Sequence, residues 1–559
     1  MIPGRFYAIF VMFAMCLPGY LLSVVVLSKV SFISKEELPY YSLLLSPILV
    51  SLFSTPILFL GIRAAVPGMA VQITGAIAII SNRNYREVIK KSFKFDYRLV
   101  FVTIMVGLGA ALFISNLELP LYTDSAHHYA DIAAFSRITP LSWSLPARFY
   151  HFGYHLFLAQ AHHLSGINIA ELMLASGVNM LIFCVVGVFA LGLVLTKDRS
   201  IAVISACVVC LTGVFPSFAQ NWGKYPAMFS LALMPFVLMV VVNFLQNRWH
   251  GNYLAGFCIL AGSTLVVGLG HWRSIFFLVA AALVAFIVCL LRKNEKMTIV
   301  RVGLAIALAG LAVFEVINLN ISIANKLLWI LVLLSVVFIS LIFAKTRSGS
   351  QVLFPLLLFA FILLATKMPL PERWMHYSSP IDLPYYRIAL FIPAGMLLAA
   401  ALSELSAGFV ISLDRQEVFW LVLLGSLVLA PIEKKLTADE RYVIVELEQM
   451  EALNWIDEHY AESEVTFLVA GQALPDVMEV SDSGAWIGPL TGLEVVVLPA
   501  MIDFSLEEQR DLLCEAKLLV YIDHTNHIHG FDDTNLDENL YQSVFYVEPV
   551  RIVKPICGD

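Results

Sequence analysis

The sequence predicts a polytopic α-helical membrane protein, of about 12–14 transmembrane helices, that ends in a small soluble α/β domain. Three observations carry that prediction. Of 559 residues, 59% are hydrophobic and only 14% charged, with a mean hydropathy of +0.82. That is more apolar surface than a soluble chain of this length can cover. Apolar runs of membrane-spanning length recur along the chain. Charge is also divided. From Glu433 onward there are 26 acidic and 7 basic residues, against 16 and 28 before it. A basic membrane part is followed by an acidic tail, and an acidic tail excludes nucleic acid as a partner.

Residues 1–98 read as an N-terminal transmembrane extension closed by a basic loop, with apolar runs at 7–29, 41–61 and 64–81. The stretch Tyr7–Val30 has no small-residue cleavage site and reads as a retained helix. Residues 99–432 read as the catalytic transmembrane domain. Its runs lie at 99–117, 170–195, 201–219, 227–245, 252–270, 274–291, 300–317, 325–344, 351–366, 387–411 and 418–432. The runs at 64–81 and 418–432 are short enough to be re-entrant. Basic residues gather in Asn82–Arg98, at Lys197 and Arg199, at Arg292–Arg301, and at Lys345 and Arg347. Counting spans puts all four on one side, which the positive-inside rule makes cytoplasmic. The 118–168 loop, the Asn221–Pro226 turn, His271-Trp-Arg273, the 367–386 loop and the tail then share the outer side, as does the N-terminus.

The acidic tail, residues 433–559, reads as one extracytoplasmic α/β domain. Asp439–Tyr460 carries a helical stripe at Ile444, Leu447, Met450, Leu453 and Ile456. Val465–Ala470, Glu494–Leu498, Lys517–Ile522 and Tyr546–Lys554 read as strands. Ser505–Ala516 reads as a helix with a capping pattern. Ser481-Asp-Ser-Gly484 and Gly530-Phe-Asp-Asp533 read as loops. Cys514 and Cys557 could pair as a disulfide. Cys207 and Cys210, inside an apolar run, read as packing residues.

Ionisable residues concentrate between Leu117 and His155. Asp124 could take a proton from a hydroxyl or hold a cation; it also sits where a helix N-cap would, before Ser125–Phe135. His127, His128 and Asp131 follow at three, four and seven residues, which places them on one helical face. Such a face beside lipid is costly unless it lines a wet cavity. His151 and His155 form an i, i+4 pair with zinc-ligand spacing, or solvate a cleft. No H-E-x-x-H pattern is present, so a zinc protease is excluded. Lys224, His271, Arg273 and Arg387 bring cations and donors from the other outer segments. Each suits interfacial anchoring alone, and together they suit a lipid phosphate beside a general base. Asp523, His524, His527, His529, Asp532 and Asp533 are ligand-like, yet read as a solvated loop.

Asp124-Ser-Ala-His-His128-Tyr129 after an early span resembles the first outer loop of the GT-C superfamily of membrane glycosyltransferases. Trp222-Gly-Lys-Tyr-Pro226, Arg387 and the tail stretches Ala452–Asp457, Gly484–Ile487 and Leu490–Gly492 are similar to elements of its bacterial and archaeal members. The resemblance implies a polyprenyl-phosphate-linked sugar donor and a glycan, lipid or protein acceptor. It implies Asp124 as catalytic acid/base or metal contact, with His128 and Tyr129 beside it. A divalent cation, magnesium or manganese, is compatible with it, but no metal ligand is assigned. The chain has no Asp-x-Asp, no second carboxylate adjoining Asp124 and no Trp-Trp-Asp-type motif in the tail. That argues against a tightly bound metal and against asparagine-linked oligosaccharyl transfer.

The sequence therefore reads as a GT-C-like glycosyltransferase of the cell membrane that works on its outer face. Asp124 would act as base and His128 would assist it. Arg387, Lys224, Arg273 and His271 would hold the donor phosphate. His127, Tyr129, Asp131, His151 and His155 would line the cleft. Single displacement would invert the anomeric centre. A flippase or transporter, or a polysaccharide polymerase, is the alternative. A flippase would need polar groups near mid-membrane, where Glu404 is the main carboxylate.

Overall fold

The computed structural model describes residues 2–92, 95–137, 152–246, 248, 253–293, 349–366, 381–408, 415–461, 463–473, 478–500, 502–524, 530–531 and 536–557. Six of its helices are long and apolar enough to cross a membrane: Gly4–Leu27, Tyr97–Ile114, Ile169–Thr196, Tyr225–Leu245, Tyr253–Gly270 and Leu383–Ser406. Two bent pairs raise that to eight. Ala65–Ser81 turns through 95° into Arg83–Lys90, and Gln416–Val428 through 88° into Ile432–Tyr442. These are the two runs short enough to be re-entrant. The length and composition of these helices make the chain an integral membrane protein. The expected spans at 300–317 and 325–344 lie outside the described residues.

In chain order the bundle is α1 (Ile2–Leu27), α2 (Leu38–Ser54), α3 (Ala65–Ser81), α4 (Arg83–Ser92), α5 (Tyr97–Ile114), α6 (Thr123–Phe135), α7 (Phe152–Ser165) and α8 (Ile169–Thr196). It continues with α9 (Arg199–Thr212), α10 (Tyr225–Leu245), α11 (Tyr253–Gly270), α12 (Arg273–Lys293), α13 (Gly349–Ala365), α14 (Leu383–Ala389), α15 (Phe391–Gly408) and α16 (Arg415–Val428). α8 is the hub. It is apolar on every face because neighbours cover every face, α1, α5, α9, α10 and α15 among them. Asn168 caps its start by accepting from the Ala170 N–H (2.8 Å), and Lys197 ends it in the left-handed region. Small residues let the helices close up. A Cβ on Gly187 would lie 2.6 Å from the Pro235 ring of α10.

Buried ion pairs fix the two ends of the bundle. At one end Glu37 meets Lys197 at 2.5 Å and Arg248 at 3.1 Å, while Arg98 pairs with Asp96 at 2.8 Å and donates to Ser200 Oγ at 3.1 Å. At the other, Arg5 pairs with Glu171 at 3.2 Å and donates to the carbonyls of Ile114 and Leu117. Arg98 and Lys197, from two of the loops that the positive-inside rule groups together, thus share one end.

The tail is a six-stranded sheet with α17 (Leu447–Tyr460) and α18 (Glu507–Glu515). β1 (Thr466–Ala473) is central. It pairs antiparallel with β2 (Met478–Val480) and parallel with β3 (Glu494–Pro499) and β4 (Leu518–Asp523). β6 (Val550–Pro555) runs antiparallel to β4 and to β5 (Tyr541–Val547). The expected single strand at 546–554 is instead a hairpin turning at Glu548-Pro549, since proline donates no ladder hydrogen bond. Cys514 and Cys557 are disulfide-bonded. The expected 439–460 helix starts only at Leu447, where Gln449 Oε1 accepts from the Glu446 N–H at 3.0 Å. The 481–484 loop becomes a 3₁₀ turn, Ser483–Trp486.

Candidate active site

Among its described residues the expected outer loop at 118–168 is mostly helix, α6 and α7, and α6 lies between the bundle and the tail. Tyr122 turns the chain with φ 67° and donates its N–H to the Tyr442 carbonyl at 2.9 Å. That turn puts Asp124 in the first turn of α6, where the helix dipole favours negative charge. Leu119 and Ala126 enter the tail's own core with Ile444 and Ile487. Tyr129 meets the wholly buried Trp486 edge-on, ring centroids 5.6 Å apart.

Lys224 reaches the start of α6 because Gly223 lets it. Gly223 has φ +59°, and a Cβ there would lie 2.6 Å from Ser125 Oγ and 3.1 Å from the Leu121 carbonyl. Only glycine fits both constraints. Asn221, in the same turn, accepts from the Asp439 N–H of the tail at 2.8 Å. Lys224 Nζ then donates to Asp124 Oδ2 at 2.7 Å. Burial would push the Asp124 carboxyl up, but Lys224 and then His128 outweigh it and hold the carboxyl well below its usual range.

From Asp124 the contacts continue in a line. His128 Nε2 lies 3.8 Å from Asp124 Oδ2. His128 Nδ1 is 3.2 Å from His155 Nε2 on α7. His155 Nδ1 is 3.8 Å from Asp131 Oδ2. Burial lowers the His128 imidazole to about 4, with Asp124 offsetting part of that, and holds His155 well below the usual histidine range. Both rings are neutral at pH 7.

A second cluster faces this one. His271 stacks on Tyr385 at 4.9 Å, and Tyr385 OH is 2.7 Å from Ser274 Oγ. Arg273 pairs with Asp382 at 2.8 Å and lies over Trp272 at 5.0 Å. Asp382 also caps α14, accepting from the Tyr385 N–H at 2.7 Å. Burial, then the charges of Arg273 and Lys224, hold His271 far below its usual range, so the two clusters share one electrostatic environment.

Of the residues expected at a site, the structure joins Asp124, Lys224, His128, His155 and Asp131 directly. It pairs Arg273 with Asp382 and holds His271 on Tyr385. His127 is exposed, one residue off the buried face that carries His128. Tyr129 faces the tail. Arg387 is half-buried and makes no ion pair among the described residues. His151, and His527 and His529 of the tail loop, lie outside the described residues. Sequence reasoning missed Asp382, although Asp-x-Pro before a helix is a capping signal. Asn221 and Trp486 lie in stretches that the sequence singles out, but their contacts with Asp439 and Tyr129 have no local sequence signature.

His128, Asp131 and His155 could hold a metal ion. Their ligand atoms lie within 4.8 Å of one another, and two neutral imidazoles with one carboxylate are a complete protein donor set for an open site. Two nitrogens favour zinc over magnesium or manganese.

No family model matches the sequence, and no curated protein matches it. Among solved structures, the crystal structure of the Archaeoglobus fulgidus oligosaccharyltransferase in the apo form is similar at 14% identity and TM-score 0.44, covering 77% of this chain and 70% of that one. The same enzyme in complex with Zn and sulfate is similar at 15% identity and TM-score 0.43, covering 76% and 68%.

Proposed function

We propose that the chain is a membrane glycosyltransferase. It moves a sugar from a polyprenyl-phosphate-linked donor to an acceptor hydroxyl of a glycan, lipid or protein, on the outer face and with inversion. The observation that carries this reading is the Asp124–Lys224 pair beside His271 and Arg273. A carboxylate base and a set of phosphate-directed donors stand together at one end of a membrane bundle.

In the resting site Asp124 is a weak base, because Lys224 neutralises it. A donor phosphate competes for Lys224. As the lysine turns toward the phosphate, Asp124 loses its stabilising charge and gains basicity. Asp124 then takes the acceptor's proton while the acceptor oxygen attacks the anomeric carbon. The bond from that carbon to the phosphate oxygen breaks, and its electron pair leaves with the phosphate. Lys224, Arg273 and Arg387 stabilise the charge that grows there, and neutral His271 can donate to it. His128 orients Asp124. A divalent ion on His128, Asp131 and His155 would add positive charge next to the same reaction.

The test is transfer from a polyprenyl-phosphate sugar in reconstituted membranes. Wild type should transfer, and Asp124→Asn should insert normally and not transfer. Donor crossing the bilayer without any transfer would make the chain a flippase instead.

A further inference from the structure

The segment that joins the last membrane helix to the tail is bound to the bundle at several points. After α16 the chain turns through 88° into Ile432–Tyr442. Lys435 Nζ donates to the Cys210 carbonyl in the last turn of α9, and Leu436 lies against Gly109 of α5. The connector is thus fixed to two helices before it reaches the site. Asp439 then donates its N–H to Asn221 Oδ1 at 2.8 Å, and the Tyr442 carbonyl accepts from the Tyr122 N–H at 2.9 Å. Asn221 stands three residues before Lys224, and Tyr122 two before Asp124. One short turn therefore holds both halves of the Asp124–Lys224 pair. The Tyr442 ring spans the same two partners. It meets Tyr122 edge-on with centroids 5.8 Å apart, and Phe218 of the Lys224 turn at 6.3 Å. The turn keeps its own shape through Asp439, whose Oδ1 accepts from the Arg441 N–H at 3.2 Å and from Arg441 Nε at 2.9 Å.

Tyr122 needs such a hold. At φ 67° and ψ 149° it occupies backbone space that suits glycine, and a larger residue stays there only where its surroundings fix it. A Tyr122 released from Tyr442 would relax toward negative φ and rotate the start of α6. Asp124 would then swing away from Lys224 Nζ. Loss of the Asn221 contact would free the Lys224 turn from the other side. We propose that residues 435–442 are the positioning element of the site, with Tyr442 setting Asp124 and Lys224 against each other. This rests on the roles proposed above for that pair and assigns their alignment to a segment outside both. Ile444 and Val445 enter the tail's core directly afterwards, so a shift of the tail reaches the pair through this turn.

The experiment uses the full-length protein in nanodiscs. It reads the rate at which acetic anhydride acylates Lys224, by peptide mass spectrometry, beside the kinetics of sugar transfer. An amine engaged by a carboxylate stays protonated and acylates slowly. Tyr442→Ala should acylate Lys224 several-fold faster and lower kcat roughly tenfold or more. Lys197, paired with Glu37 at the far end of the bundle, serves as the reference and should react at its wild-type rate. Tyr442→Phe keeps the ring and should restore both readings. Asn221→Ala, which acts on the other turn, should match Tyr442→Ala. The proposal is overturned if Lys224 reacts at the wild-type rate in both alanine variants. It is also overturned if Lys197 accelerates as much as Lys224, since the variants would then loosen the whole bundle. Lys224 responding as expected in a protein that transfers no sugar, wild type included, would keep the positioning role and sink the glycosyltransferase reading. Wild-type transfer with Lys224 indifferent to both variants would do the reverse.

Discussion

In the proposed reaction Asp124 is the one base. Asp124→Asn keeps shape and removes basicity, and should lower turnover on the order of 100-fold or more without loss of insertion. Lys224→Met probes the shared cation. With the lysine gone, the largest charge opposing burial is lost and the Asp124 pKa rises. The basic form then exists only above that raised value, so the acid limb of the kcat/KM profile should move to higher pH. A profile that falls in height without moving would separate Lys224 from the basicity of Asp124. In the tail, Asp482 is wholly buried. Burial, then the neighbouring Asp523, push its carboxyl well above the usual range, so the folded tail holds a proton that the unfolded chain releases. That contribution is complete below the ordinary carboxylate range and is lost as pH rises. Asp482→Asn should therefore raise thermal stability more at pH 8 than at pH 5. Asp124 stood out in the sequence, despite its N-cap position, because His127, His128 and Asp131 follow it at helical spacing. Its partner was not, because Lys224 lies 100 residues away and either an anchor or a phosphate ligand fits its local sequence.

At the scale of elements, the turn ending in Gly223 and the helix start at Tyr122 are built against each other. Gly223→Ala adds a left-handed strain of about 1–2 kcal/mol and a Cβ that collides with Ser125. The turn should retreat and take Lys224 with it. The expected result is a loss of transfer larger than the loss of thermal stability, and restoring Gly should recover both. A variant with full activity would show that the close approach is unimportant. Helices α5, α8 and α10 were readable from their apolar runs. α7 was less so. His151 and His155 gave only an i, i+4 spacing. Nine consecutive residues, Gly153–Ala161, are buried, and His155 finds partners on α6 that periodicity cannot show.

For the whole molecule, the buried Glu37 ties the loop after α1 to the ends of α8 and α10. Lys197 is nearly half exposed, so removing the carboxylate loses the clasp without stranding a buried charge. Glu37→Ala should thus lower the melting temperature in detergent while leaving the Asp124 end intact. Orientation is testable separately. Alkaline phosphatase fused after Pro555 should be active, since both loop charge and the Cys514–Cys557 disulfide favour an oxidising outer compartment for the tail. The division into bundle and tail was legible from composition alone. Their junction was not, because Tyr129 against Trp486 and Asn221 against Asp439 are contacts between distant segments.

The Glu37 cluster also has a consequence for synthesis. Lys197 and Arg248 are 160 and 211 residues downstream of Glu37. A ribosome that has threaded only the first two helices into the membrane has made the acid but neither base. The first hairpin must wait, with an uncompensated charge, until α8 and then α10 have been delivered. Nascent chains stalled before residue 197 should leave Ser34–Glu37 open to protease. Those stalled well beyond residue 248 should protect it. The clasp at this end then reports that Asp124, His128, His155 and Lys224 have all arrived, ahead of His271, Arg273 and Asp382.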